Sequence, residues 1–301
     1  MYEKLKLTED LKKASLGLSR EEARFLVDAY YQLQDARIRA AGQIRAVLDE
    51  TPGILSWVQL YVENIEDEIK KALTMYASGH PVCEWAQTVK GIGPVLSAGL
   101  VAHIDITKCP TVGHIWSFAG VNPEQEWGKG QKRPYNADLK VLQWKIGESF
   151  VRSGGGGIYN DVYKTRKEQE IARNLNGDFA DQAKAKLKKF NIGKNTDAYK
   201  WYAGRITRKE AERVLKLAAA DKVVKPKLVK EGKGQPMLPP AHIHSRAKRY
   251  AVKLFMSHWH FVAYFNHYGK RPPKPYILEH GHGHVHEILP PNFDVKSKKA
   301  A

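Results

Sequence analysis

Two glycines around one isoleucine, followed at once by proline, set the strongest constraint on this chain: Lys90-Gly91-Ile92-Gly93-Pro94-Val95. Proline suits the first turn of a helix, and glycine allows the sharp reversal that would precede it. The pattern predicts two short helices, over 82–89 and 94–103, joined by a tight hairpin. Ile92 is expected to plug the core while the backbones of Gly91 and Gly93 face outward. A helix start leaves N–H groups without partners, and such groups bind anions. The formal net charge of +17 makes nucleic-acid phosphate the anion to expect, with Lys90 adding a charge at the same place.

The charge is unevenly spread. Residues 1–125 hold 13 Lys+Arg and 16 Asp+Glu, whereas residues 126–301 hold 36 and 16. A basic later half points to a polyanionic surface. At 43 % hydrophobic residues the chain is a folded protein, not a disordered tail. It has no apolar run long enough to span a membrane and no secretory leader pattern. Cys83 and Cys109 are the only cysteines and neither belongs to a CxxC, which excludes a disulfide framework and a zinc finger.

Helical periodicity runs through most of the chain, and no sustained two-residue alternation appears, so the class is all-α. Residues 20–50 read as a long helix with Leu26, Tyr30, Leu33, Ala40, Ile44 and Val47 on one stripe, started by a Ser19/Glu22 capping box. Thr51-Pro52-Gly53 separates it from a second helix carrying Ile54, Val58, Tyr61, Ile65, Ala72 and Tyr76. The pair forms an antiparallel hairpin over 1–80, packed either on the body of the molecule or, as a coiled coil, on a second copy. After the glycine hairpin, Thr111 is expected to cap a helix ending at Gly120. Residues 123–134 form a basic loop. A helix from Asn136 to Arg152 places Leu139, Leu142, Ile146 and Phe150 on one face before four glycines break it. Segment 81–170 is thus a helix-hairpin-helix domain. Residues 171–240 read as basic helices, with a Thr207/Glu210 capping box, followed by a linker over 221–240. In 241–301 a helix to His267 has Ile243, Ala247, Tyr250, Leu254 and Phe261 on its apolar face and Arg246, Arg249 and Lys253 as a cationic stripe beside it; a tail rich in Pro, Gly and His follows.

Further phosphate contacts are expected from Lys129, Lys132 and Arg133 in the basic loop, whose flanking Trp127 and Tyr135 can stack on bases. Histidines cluster late, at His242 and His244, His258 and His260, and the alternating run His280, His282, His284 and His286, which can take up a metal adventitiously; Glu279 and Glu287 are the only carboxylates near that run, so no dedicated metal site is expected. Carboxylates such as Glu21, Glu66 and Asp67 fall on helical surfaces, unlike the acids of a two-metal centre.

Residues 89–123, VKGIGPVLSAGLVAHIDITKCPTVGHIWSFAGVNP, resemble the C-terminal helix-hairpin-helix domain of insertion-sequence transposases of the DEDD type, the bridge-RNA-guided group. The matching motifs are Gly91 to Pro94, Leu100 to Asp105 and Ala119 to Pro123, with RPYNADLKVLQWKIGESFV (133–151) and IYNDVYKTRKEQE (158–170) following in order. The resemblance implies DNA as partner, RNA as a second one, subunit contacts through a preceding coiled coil, and a place near the nucleoid in the cytoplasm of a prokaryote, or a phage origin. Members begin with a RuvC-like domain that supplies four acidic metal ligands. This sequence starts at what resembles the coiled coil, so the expectation is a chain without those acids. The family's catalytic serine follows the AGLNP-like segment, and the loop EQEWGKGQKRP has no serine there. Tyr135 is the one alternative nucleophile in that loop. The expected function is DNA binding, in transposition or recombination or derived from it, with no cofactor unless divalent metal serves a retained activity. The alternatives are an active metal-dependent recombinase, and a mobile-element accessory protein that acts through a host partner.

Overall fold

The computed structural model describes residues 4–47, 53–122, 125–219, 224–274 and 287–294. Among these residues the secondary structure is helical with no strand. The chain divides into two compact units. One comprises Met1–Ser153 and Lys253–Ala301; the other is Gly154–Val252, inserted between them in sequence. These limits cut across the four segments read from the sequence.

In the first unit, α1 (Glu9–Ala14) leads to α2 (Arg20–Ala46) and α3 (Gly53–Ser78). The capping box at the start of α2 is present: Ser19 accepts from Glu22 N–H, and Glu22 accepts in return from Ser19 N–H. Thr51 and Pro52 lie outside the described residues. Helices α2 and α3 pack along each other, and Arg37 Nε on α2 meets the buried Glu66 Oε2 on α3 at 2.6 Å. The apolar stripes are buried over only part of their length. Ala23, Val27, Ala40, Ala72, Leu73, Tyr76 and Ala77 are buried, whereas Val47, Ile54, Trp57 and Val58 are exposed. The helices that pack against this pair sit at the Tyr76 end, which is why its buried residues concentrate there.

Helices α4 (Pro81–Gln87) and α5 (Pro94–His103) flank the glycine hairpin as expected. Helix α5 touches α2, α3, α4 and the later α7 (Ala137–Arg152), so Ser97–His103 are buried all round it. Helix α6 (Val112–Phe118) begins after Thr111, but that hydroxyl lies 2.9 Å from His114 Nδ1 and makes no side-chain cap to the backbone. Asn136 caps α7 (Ala137–Arg152), accepting from Leu139 N–H at 2.8 Å, and Leu139, Leu142, Ile146 and Phe150 are all buried. The second half of α12 (Pro240–Tyr268) completes this core with Phe255, Trp259 and Val262. Both cysteines are buried, which pushes the thiol of Cys83 up to about 12 and that of Cys109 to about 11.

Part of the tail that follows α12 is anchored. Trp85 Nε1 donates to Pro291 O (2.7 Å), His258 Nε2 donates to Ile288 O (2.8 Å), and the ring of Phe293 meets those of Phe261 and Phe265. His280, His282, His284 and His286 lie outside the described residues. No helix among the described residues is long and apolar enough to cross a membrane.

The second unit holds α8 (Ile158–Asn176), α9 (Ala180–Lys189), α10 (Asp197–Tyr202), α11 (Arg208–Ala219) and the first half of α12. It carries 23 Lys+Arg against 10 Asp+Glu. Its core joins Phe179, Ala183, Tyr202, Leu238 and Ile243 in one cluster and Trp201, Ile206, Ala211, Val214 and Met237 in another. The described part of the stretch read as a linker, 224–240, is therefore no free connector. Val229, Gly234, Gln235 and Met237 donate backbone hydrogen bonds to Arg205, Gly204, Ile206 and Trp201, and Met237 and Leu238 are fully buried. At the second capping box, Glu210 N–H donates to Thr207 Oγ1. The Glu210 carboxylate is engaged by Arg213 and by the Lys227 N–H, which hold it down at about 2.

The apolar face of α12 also differs from the expected one. Tyr250 is exposed and Leu254 half-buried, and Ala251 and Phe255 take their place. The buried face follows Ile243, Ala247, Ala251 and Phe255 at four-residue steps, and widens beyond Phe255 because the core wraps the helix there.

Candidate nucleic-acid interface

The two glycines of the hairpin have different physical origins. Gly91 has φ +97°, where side chains are strained, and a Cβ there would lie 3.2 Å from Ser149 Oγ and 3.4 Å from Ser149 O. Ser149 also donates its hydroxyl to Gly91 O, pinning the turn to α7. Gly91 is thus required by the fold. Gly93 has φ −100° and ψ 179°, a conformation open to any residue, and a Cβ there would meet nothing within 4 Å. Nothing inside the protein calls for glycine at this position.

Between them Ile92 is buried, in the place expected of it, and its N–H donates to Val89 O at 3.0 Å. Gly93 is the N-cap of α5 and Pro94 follows inside the first turn, with no side-chain cap hydrogen bond. The Val95 and Leu96 N–H groups are the orphan donors of that turn. Lys90 is exposed next to them. The hairpin is therefore a bend buried on its Ile92 side and open on its Gly93 side, with the positive end of α5 beside it.

The basic loop closes on itself. Gln125 Nε2 donates to Pro134 O (3.0 Å), Gly128 N–H donates to Gln131 Oε1 (2.9 Å), and Asn136 N–H donates to Phe118 O (2.8 Å). Lys129, Lys132 and Arg133 are exposed, and the Arg133 guanidinium stands 5.6 Å from the centre of the Trp127 ring. Tyr135 is half-buried with its ring against Gly120, and Lys140 Nζ lies 4.1 Å above it. A tyrosine nucleophile needs a base or a metal to draw off its proton. Among the described residues no group of three or more His, Cys, Asp or Glu could hold a metal ion.

The cations of α12 stand in other surroundings. Arg246 Nε bonds Glu170 Oε2 at 2.6 Å, its Nη1 reaches Gln182 Oε1 at 3.2 Å, and its guanidinium lies 4.5 Å from the Phe179 ring centre. Glu170 is buried and also paired with Arg166 at 2.5 Å. Burial alone would raise its pKa, but these guanidiniums hold it below the usual carboxylate range. Arg249 is exposed. Lys253 is half-buried over Trp116, 4.3 Å from the ring centre, and that burial lowers its ammonium. Arg246 and Arg249 fall in the inserted unit, whereas Lys253, the hairpin and the basic loop belong to the first.

Sequence reasoning passed over Trp144 and Lys140, which lie exposed on α7. The sequence carries the signal: an indole set off the Leu139, Leu142, Ile146 and Phe150 stripe falls on the outer face of an amphipathic helix.

No curated protein and no solved structure matches the chain. A family model does match part of it, the one described as the Transposase IS116/IS110/IS902 family, over residues 83–135. Those 53 of 301 residues run from Cys83 in α4 to Tyr135 and contain the glycine hairpin, α5, α6 and the basic loop, so in this segment the chain is similar to a transposase.

Proposed function

We propose that this chain is a transposase-related DNA-binding protein that grips the phosphate backbone through the Lys90–Gly93 hairpin and the loop bearing Lys129, Lys132 and Arg133, and that it serves DNA transposition or recombination or derives from a protein that did. The observation that carries this reading is Gly93. It is a glycine that the interior does not require, at the uncapped start of α5, with open space where its side chain would stand. Close approach of a phosphate oxygen to the backbone explains it. The transposase match over the same segment supports DNA as the polyanion, and so does the +17 net charge. Arg249 and Lys253 add cationic contacts, and Arg246 contributes beyond its pairing with Glu170. The exposed Ile54, Trp57 and Val58 at the far end of the helical pair form a self-association surface in this reading.

Contacts of this kind position DNA and read little sequence. Binding should therefore weaken steeply with salt, by about 0.9 log unit per log unit of salt for each phosphate neutralised on duplex DNA. Gly93→Asp is the sharpest probe. Aspartate is a favourable N-cap, so the fold is retained, while its carboxylate occupies the phosphate position. The expected result is weaker binding and a shallower salt slope at unchanged thermal stability. A parent chain that binds no DNA at low salt, or a Gly93→Asp chain that binds like the parent, overturns the proposal.

A further inference from the structure

We infer that the basic loop and the outer face of α7 form one aromatic and cationic ridge that takes an unpaired DNA strand, with its bases stacked on Trp127 and Trp144. This deepens the DNA-binding reading and rests on it; what it adds is the form of the DNA and the side chains that select that form.

The ridge begins in the basic loop. Trp127 and Tyr135 meet edge to face, with ring centres 6.3 Å apart. Arg133 lies over Trp127 at 5.6 Å and Lys140 over Tyr135 at 4.1 Å. Trp144 stands four residues after Lys140 on the same helix, so the two side chains are neighbours on one face, about 6 Å apart along the axis. Val141 fills the same face. Trp127 is 44 % exposed, Val141 52 % and Trp144 56 %. Apolar groups this large seldom gather at a wet surface unless something covers them.

The charge on the ridge decides what covers it. Between Gln125 and Tyr135 there are three cations, Lys129, Lys132 and Arg133, against one acid, Glu126. Lys140 extends the positive run onto α7; beyond Trp144, Glu148 pairs with Arg152 at 3.7 Å, and Lys145 turns from the ridge to the Tyr31 ring, 3.6 Å from its centre. Indoles set among cations fit a ligand that offers flat apolar faces and regular negative charge together. An unpaired strand does this, because each base has a free π-face and each nucleotide a phosphate. In a duplex the base faces are stacked on one another, so Trp127 and Trp144 have nothing to stack on. The ridge is also fixed in place before binding, by the Gln125–Pro134 and Asn136–Phe118 hydrogen bonds at the neck of the loop.

The test compares the full-length chain with Trp127→Ala and Trp144→Ala, measuring affinity for an oligo-dT strand and for a duplex of the same length at several salt concentrations. Both rings are about half exposed, so the variants should stay folded, which melting beside the parent checks; Trp127→Phe and Trp144→Phe retain a stacking ring and should rescue binding. A stacked base lost at one position should lower single-strand affinity about tenfold, within a range of roughly five- to a hundred-fold. The salt slope should stay the same, because the cations remain, and duplex affinity should not move. Alanine variants that bind oligo-dT like the parent overturn the inference, as do variants that lose single-strand and duplex affinity equally. In either case the parent still binds DNA and the wider reading stands. A parent that binds neither form brings down both.

Discussion

Replacing Gly91 by alanine should destabilise the first unit severely, while replacing Gly93, two residues on, should hardly affect it. At Gly91 the φ of +97° places a Cβ-bearing residue in a left-handed region, at a cost of about 1–2 kcal/mol. The new methyl would also stand 3.2 Å from Ser149 Oγ and 3.4 Å from Ser149 O in a packed contact, which adds about 1–2 kcal/mol of overpacking. Together these give about 2–4 kcal/mol, a fall in melting temperature of roughly 5–15 °C for a unit of this size. Gly93→Ser should change stability by less than about 0.5 kcal/mol, because its backbone is extended, its surroundings are open, and serine caps a helix at least as well as glycine. Calorimetric melting or urea unfolding of the two variants measures the contrast. Ser149→Ala completes a double-mutant cycle. It removes the hydroxyl nearest the new methyl and leaves the φ penalty, so Gly91→Ala should cost about 1 kcal/mol less in that background. The reasoning fails if Gly91→Ala melts with the parent, or if Gly93→Ser falls as far as Gly91→Ala.

Glu170→Gln should destabilise the inserted unit by about 2–4 kcal/mol in urea unfolding, since it leaves Arg166 and Arg246 around a neutral, buried amide; an unchanged unfolding curve would count against the pairing. Burial lowers His258 and His242 to about 4 and also depresses His103 and His260. In this window the unfolded chain binds more protons than the folded one, so stability should rise with pH between about 4 and 6.5 and be lost as pH falls, by up to about 3 kcal/mol from His258 alone. Melting temperatures that stay flat from pH 7 to pH 4.5 would refute that sign. Trp85→Phe removes the Nε1 donor to Pro291 O and should loosen Glu287–Asp294 by about 1 kcal/mol, making proteolytic loss of the C-terminal segment about fivefold faster; an unchanged rate would show that the hydrogen bond does not hold the segment.

Local signals carried far in this chain, and their physical range marks where they stopped. The Ser19 box, the Asn136 cap and the Leu139–Phe150 stripe each depend on residues within one or two turns, and all were visible in the sequence. Helix α5 was found by punctuation alone, because Ser97–His103 are buried on every side and leave no amphipathic period. The order of residues 224–239 is not legible in the sequence, because it comes from backbone bonds to Gly204, Arg205 and Ile206, which no side-chain pattern announces. The partner of Arg246 is Glu170, 76 positions earlier, so a stripe on α12 read by itself could not show the pairing. At the candidate interface the sequence identified the hairpin but not the contrast between its glycines, since that depends on Ser149 approaching from α7.

The two interior sulfhydryls give the molecule a built-in reporter. Groups held near 12 and 11 are almost wholly protonated at neutral pH and shielded from reagents, so the intact protein should ignore thiol-reactive dyes and mild oxidants. Labelling at Cys83 or Cys109 then signals that the interior around α4 and α6 has opened. A single cysteine introduced on the surface would be modified against a silent background, ready for distance measurements with DNA present.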